Sequence, residues 1–245
     1  MTHLKGDDRA RYVQQMFTQI APRYDLMNRL MTAGQDVAWR KEVIRRARLA
    51  PGARVLDLGA GTGDLAREAA RQQPAANVVA ADFTLAMMRA RERHGRAQDR
   101  HGQTQGRSEP ALTWAAADAR CLPFGDGVFD AVVSGFLMRN VGDVAPVLEE
   151  QRRVLRPGGR VVILDTTQPT RNVLWPIIWV HLHVVIPFVG GLISGFRNAY
   201  TYLPDSTESF LAAEDLAGRL AAAGFKNVGF RRLMFGTIAL HWGER

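Results

Sequence analysis

One stretch limits the fold of this chain more than any other. Arg54-Val55-Leu56-Asp57-Leu58 runs into Gly59-Ala60-Gly61-Thr62-Gly63-Asp64, and an alanine-rich segment follows to about Gln73. A short apolar run, a glycine turn and a helical pattern make the opening strand, turn and helix of an open parallel sheet. Gly59, Gly61 and Gly63 carry no Cβ, so the backbone there can approach a ligand closely. The helix that begins near Gly63 offers N–H groups to an anionic group. The spacing Gly-x-Gly-x-Gly differs from the dinucleotide spacing Gly-x-Gly-x-x-Gly, because Asp64 stands where the third glycine would be. Asp57 and Asp64 would repel a pyrophosphate and suit an ammonium group.

The rest of the chain repeats the alternation. Residues 9–20 carry Tyr12, Val13, Met16, Phe17 and Ile20 at helical spacing, and Ala21-Pro22 ends that helix. Helices are also predicted over 36–49, from the cap residue Thr84 to about 94, over 143–155 and over 213–223. Strands are predicted at 77–81, 112–116, 128–134 and 160–164, the last entered through the turn Arg156-Pro157-Gly158-Gly159. Residues 95–110 read as a surface loop, and 227–233 with 236–242 as a hairpin at an antiparallel edge. This order implies an α/β fold with a mostly parallel sheet and right-handed crossovers. The 245 residues are read as one domain, 1–245. Its parts are N-terminal helices over about 9–49, a core over 50–168, an apolar segment over 171–200 and a resumed core over 210–243.

Later strand ends narrow the ligand. Asp82 ends the second strand and can accept hydrogen bonds from both hydroxyls of a ribose. Phe83 can lie on an adenine face. Asp118 follows the third strand, placed to accept an adenine amino group, with Ala119 giving a backbone contact. Each residue alone is more often a solvated strand-end group. Together they share the sheet edge where open α/β folds bind ligands. With Asp57 and the glycine turn they point to S-adenosylmethionine rather than NAD.

The formal charge of +8 suggests an anionic partner, but a generally basic, arginine-rich proteome is the preferred reading; the arginines are scattered, with no run of five basic residues, so nucleic acid is not an expected partner. Cys121 is the single cysteine, which excludes an internal disulfide; it is expected to pack near a strand end. No zinc constellation is visible, and no metal is expected. The polar first residues do not form a signal peptide, and the expected location is cytoplasmic. Residues 173–196 contain no Asp, Glu, Lys or Arg. They have the length of a membrane span, yet Pro187 and Gly190, Gly191 and Gly195 interrupt them, and a lone span between two halves of one sheet is topologically awkward. Two short apolar helices forming a lid over an apolar pocket are the preferred reading; a buried helical pair without a ligand role competes with it.

The chain also resembles the quinone-biosynthesis C-methyltransferases, which act on demethylmenaquinone and ubiquinone precursors. The resemblance runs from about Val13 to Gly243. It is carried by Phe17-x-x-Ile20-Ala21-Pro22-Arg23-Tyr24-Asp25-Leu26-Met27-Asn28, by Leu122-Pro123-Phe124 with Phe129-Asp130 and Arg139-Asn140-Val141, and by Ile238-Ala239-Leu240-His241-x-Gly243. It implies a Rossmann-like class I methyltransferase with a seven-stranded, mostly parallel sheet, an antiparallel C-terminal edge hairpin and a helical lid. It assigns Thr62, Asp82, Asp118 and Ala119 to the cofactor. Where the family has Ser-Phe-Gly-Leu, this chain has Gly135-Phe136-Leu137-Met138, so Ser134 takes the place of that serine only with a one-residue shift. Leu164-Asp165-Thr166-Thr167-Gln168-Pro169 stands where the family has Leu-Glu-Phe-Ser-x-Pro.

Methyl transfer from a sulfonium is mainly a positioning task, and general-base help contributes roughly 10²–10⁴-fold. Candidates for that help are His241, Tyr24 and a water held by Arg139 or Asp165, and Arg139 can stabilise a developing phenolate. For His241 a structural place on a terminal strand weighs as much as a catalytic one. The expected substrate is an isoprenoid quinol. Contact of Arg171 and Arg197 with lipid headgroups at the inner face of a membrane is a further expectation, as is a homodimer. Two other readings stay open: a methyltransferase acting on another small or lipid-like acceptor, and a non-catalytic scaffold of a quinone-synthesis assembly.

Overall fold

The apolar runs become seven strands of one sheet in the computed structural model, which describes residues 13–19, 21, 24–89, 112–169, 175–185, 207 and 209–245. The N-terminal helices are α1 (13–19), α2 (Tyr24–Met31) and α3 (Asp36–Ala47). Then come β1 (Arg54–Leu58), α4 (Asp64–Gln72), β2 (Asn77–Asp82), α5 (85–89), β3 (Thr113–Ala116) and β4 (Phe129–Gly135). The chain continues with α6 (Ala145–Val154), β5 (Leu155–Thr166), α7 (Trp175–Val180), α8 (Ala213–Ala222), β6 (Lys226–Leu233) and β7 (Ile238–Glu244).

The sheet order is β3-β2-β1-β4-β5-β7-β6. β7 runs antiparallel to both β5 and β6, and the other pairs are parallel. Successive connections leave β1 in opposite directions, so a crevice opens at the carboxyl ends of β1 and β4. Both faces of the sheet are covered, which is why its strands are nearly continuous apolar runs. Leu56, Leu58, Val132, Val161 and Ile163 pack with Val147 and Leu148 of α6 and Leu216 and Leu220 of α8. Val55, Ala80, Val133, Val162 and Leu240 pack on the other face with Trp39, Val43 and Ile44 of α3 and Ala66 and Ala69 of α4. The alternation of Val55 and Leu56 between the two layers is the period-two pleat of a strand.

Three readings of the sequence need correction. The fifth strand begins at Leu155, not Arg160, because the Arg156–Gly159 turn is a bulge inside it: Phe129 faces Leu155 and Ala131 faces Arg160. Gly159 has to be glycine there, since a Cβ would stand 2.9 Å from the Arg156 carbonyl oxygen. Helix α2 was not anticipated. Cys121 is exposed rather than packed. Residues 175–185 are helical, ending in a π-helical turn, with Trp179, Val180, Val184 and Val185 exposed. Among the described residues, no helix is long and apolar enough to cross a membrane. The expected loop at 95–110 and the expected second helix of the apolar segment lie outside the described residues.

Candidate cofactor site

The crevice at β1 and β4 holds a cavity of about 610 Å³, within the range of small-molecule sites. Gly59 and Gly61 line it at the end of β1, Asp82, Phe83 and Thr84 after β2, and Ala117 to Arg120 after β3. Gly135 to Leu137 and Asn140 to Asp143 line it after β4, and Val13, Gln14 and Phe17 of α1 add to the wall.

The glycine turn gives shape more than donors. Gly59 and Ala60 both donate N–H to the Ala81 carbonyl (2.8 and 3.0 Å), and Gly63 donates to the Ala60 carbonyl (2.7 Å). Gly59 has a φ of 70°, and a Cβ there would stand 2.9 Å from Leu137 Cδ1. Only glycine meets both conditions. At Gly63 (φ 86°) a Cβ would stand 2.6 Å from Trp114 Cη2, so this glycine seats α4 on β3 and does not line the cavity.

Asp82 is the organising carboxylate. Its Oδ2 accepts the Gly61 N–H (2.7 Å) and its Oδ1 accepts the Thr84 N–H (2.6 Å). The Thr84 hydroxyl donates a third bond to the carboxylate, whose side chain lines the cavity. Burial raises its pKa above the ordinary carboxylate value despite these three donors. Phe83 is 46% exposed beside it, an open aromatic face. Asp118 and Ala119 also line the cavity, but Asp118 is paired with Arg120 through a guanidinium contact of 2.7 Å, which holds its pKa down. Arg120 was missed in the sequence, as were the lining residues of α1 and Asn140.

Several expected site residues stand elsewhere. Asp57 is 1% exposed, does not line the cavity and accepts the Ala66 N–H (2.9 Å), tying β1 to the start of α4. Asp64 pairs with Arg40 (2.5 Å) and with Arg67. Neither carboxylate faces the ligand space, so the sign of charge that favours a cationic ligand comes from Asp82 and Asp118. Thr62 is buried, and its carbonyl accepts a hydrogen bond from Arg67 (2.8 Å). Ser134 is buried and does not line the cavity; its neighbour Gly135 does. Arg139 lies behind the wall, 5.1 Å from the Phe136 ring centre and 3.9 Å from Asp165. His241 is 1% exposed under α8, with Nε2 2.9 Å from the Ala213 carbonyl and its ring against Phe230. It does not line the cavity, and this geometry fits the structural reading. The side chain of Tyr24 lies outside the described residues. Val13 and Phe17 of α1 cover part of the cavity.

Burial pushes Asp57 up to about 7, with Asp82 and Asp64 adding to the effect. The folded state therefore favours the neutral acid, a contribution present below the unfolded value near 4 and lost as pH rises through 7. Asp57→Asn keeps an oxygen for Ala66 and removes the buried charge. The variant should be more stable than the parent at pH 8 by roughly 2–4 kcal/mol. The gap should close as pH falls from 7 toward 4, as read by urea denaturation. Equal stability at pH 8 would show that Asp57 ionises without cost.

Comparison with known proteins places the chain in a family. The profile of the ubiE/COQ5 methyltransferase family matches residues 2–245. The ubiquinone/menaquinone biosynthesis C-methyltransferase UbiE of Desulfotalea psychrophila is 42% identical, over 95% of this chain and 90% of its own. The demethylmenaquinone methyltransferase of Thermus thermophilus is 43% identical, over 94% of this chain and 100% of its own. A solved SAM-dependent methyltransferase from Aquifex aeolicus shares the fold, with a TM-score of 0.56 at 17% identity over 84% of this chain and 88% of its own. With residues 2–245 matched by one family and relatives above 40% identical over nearly all of it, the chain belongs to the ubiE/COQ5 methyltransferase family.

Proposed function

We propose that this protein transfers a methyl group from S-adenosylmethionine to a ring carbon of a demethylmenaquinol. The observation that carries the reading is the end-to-end similarity to a demethylmenaquinone methyltransferase. The cavity supports it. S-adenosylmethionine supplies a methyl group already activated on a sulfonium. Asp82 would hold the ribose through its remaining acceptor capacity, and Phe83 and Ala119 would border the adenine. Asp118 would take the adenine amino group in competition with Arg120. Val13, Phe17, Leu137 and Val141 give the cavity an apolar wall that suits a flat ring and excludes water. Asn140 places a polar group on that wall, its Nδ2 donating to the Phe136 carbonyl (2.8 Å). The chain's part is to bring a ring carbon in line with the methyl group, a contribution worth several powers of ten in rate.

The isoprenoid tail of such a quinol resides in a bilayer. The exposed, uncharged face of Trp179, Val180, Val184 and Val185 suits contact with a membrane surface. One experiment tests both parts. Vesicles of anionic phospholipid carrying demethylmenaquinol are incubated with the protein and methyl-labelled S-adenosylmethionine. The label should appear in the quinone, with the mass of one added methyl group, and the protein should sediment with the vesicles. Label in no quinone defeats the enzymatic reading; protein that stays in the supernatant defeats the membrane contact.

A further inference from the structure

The carboxylate of Asp165 is fully buried at the C-terminal end of β5. It accepts the N–H of Thr166 (2.7 Å), the N–H of Arg139 (3.3 Å) and that of Met138. The Arg139 guanidinium stands 3.9 Å away. A buried carboxylate committed to donors at the ends of two neighbouring strands is a clamp: it fixes the single turn of 3₁₀-helix at Met138–Asn140 to the end of β5. That turn leads into Asn140, Val141, Gly142 and Asp143, all of which line the cavity. The sheet order puts this wall on the β4 side of the glycine turn, and Asp82 and Asp118 on the β2 and β3 side. The clamp therefore acts on one half of the cavity and touches none of the groups assigned to the cofactor.

We propose that Asp165 is a positioning residue for the methyl acceptor, acting through the Met138–Asn140 turn on the wall that carries Asn140. The inference rests on the methyl-transfer reading above. An ordinary structural cap would lower stability and every ligand's binding together; a positioning residue separates the two ligands.

The test is Asp165→Asn, which keeps the size of the side chain and leaves one oxygen for the turn. Calorimetry should give an S-adenosylmethionine Kd within about twofold of the parent. The kcat/KM for the quinol should fall about 100-fold, the cost of misplacing a reacting group by roughly 1 Å. Amide hydrogen exchange over residues 138–143 should quicken. Because the single variant leaves Arg139 buried without its carboxylate, Arg139→Met and the double variant Arg139→Met with Asp165→Asn are compared as well. The double variant should show faster exchange at 138–143 and lower kcat/KM than Arg139→Met alone. Equality of these two variants, unchanged kcat/KM in Asp165→Asn, or loss of S-adenosylmethionine binding in step with turnover overturns the proposal. If the parent methylates no quinol, the function reading falls by itself. The clamp is then judged on exchange and cofactor affinity: faster exchange at 138–143 with unchanged Kd supports it, and unchanged exchange overturns it.

Discussion

Asp82→Ala should weaken S-adenosylmethionine binding by about 100-fold. The carboxylate does two jobs. It closes the turn by accepting N–H groups from Gly61 and Thr84, and it turns its remaining acceptor capacity toward the cavity. Hydrogen bonds to a charged group are worth roughly 1.5–3 kcal/mol each, and a buried donor left without a partner costs about 1–3 kcal/mol. Loss of two such terms amounts to roughly 2–6 kcal/mol, a range that spans the roughly 2.8 kcal/mol corresponding to 100-fold. Asp82→Asn should be intermediate, because its one carbonyl oxygen can serve only one of the two N–H donors. Isothermal titration measures both. A thermal unfolding scan on each variant separates local damage from unfolding, since β2 itself is held by Val78, Ala80 and Ala81 in the core. A Kd for Asp82→Ala within threefold of the parent would remove Asp82 from the cofactor site. Acidification should act in the same direction, because protonating Asp82 removes the charge that both donors face.

The fold was legible because strand and helix periods alternate cleanly along the chain. Val55, Val78, Val133 and Val162 belong to runs that only a sheet covered on both faces can bury. Boundaries slipped where a turn is absorbed by a strand, as at Gly158 and Gly159, since a bulge and a true turn share the same residues. Helix α2 was hidden because Tyr24–Met31 follows Pro22 closely and its outer face keeps apolar residues: Leu26 and Leu30 are exposed.

The site was legible at strand ends and illegible behind them. Gly59, Gly61, Asp82, Phe83, Asp118 and Ala119 follow directly from a strand register, and all six line the cavity. Asp57 sits one residue before the end of β1, where a carboxylate can as well meet the first N–H groups of the next helix; Ala66 takes it. Sequence spacing does not distinguish these outcomes. Arg120 had a signal, an arginine two residues after a strand-end aspartate, which is the spacing at which a guanidinium folds back on the carboxylate. Val13, Gln14 and Phe17 had none beyond helical periodicity, because which wall a terminal helix covers is set by long-range packing.

His241 offers the sharpest separation of catalysis from architecture. Burial, with Arg232 nearby, lowers its imidazole to about 4 from the usual 6.5. At neutral pH the ring is uncharged, and the Ala213 carbonyl, which can only accept, fixes the proton on Nε2. Between pH 6.5 and 4 the unfolded chain holds a proton that the folded chain refuses. Stability should therefore be full above about 6.5 and decline as pH falls, by about 1.4 kcal/mol per pH unit and roughly 3 kcal/mol over the window. His241→Gln keeps an N–H donor for Ala213 and cannot titrate. Its unfolding free energy at pH 7.5 should lie within about 1 kcal/mol of the parent. Its decline between pH 6.5 and 4 should be shallower by the amount His241 contributes. Methyl transfer should continue within about threefold of the parent rate, because the ring is enclosed by α8 and Phe230 and lines no part of the cavity. A general base contributes roughly 10²–10⁴-fold. A loss of that size in kcat, with cofactor affinity unchanged, would return His241 to the reaction and require α8 to open during turnover.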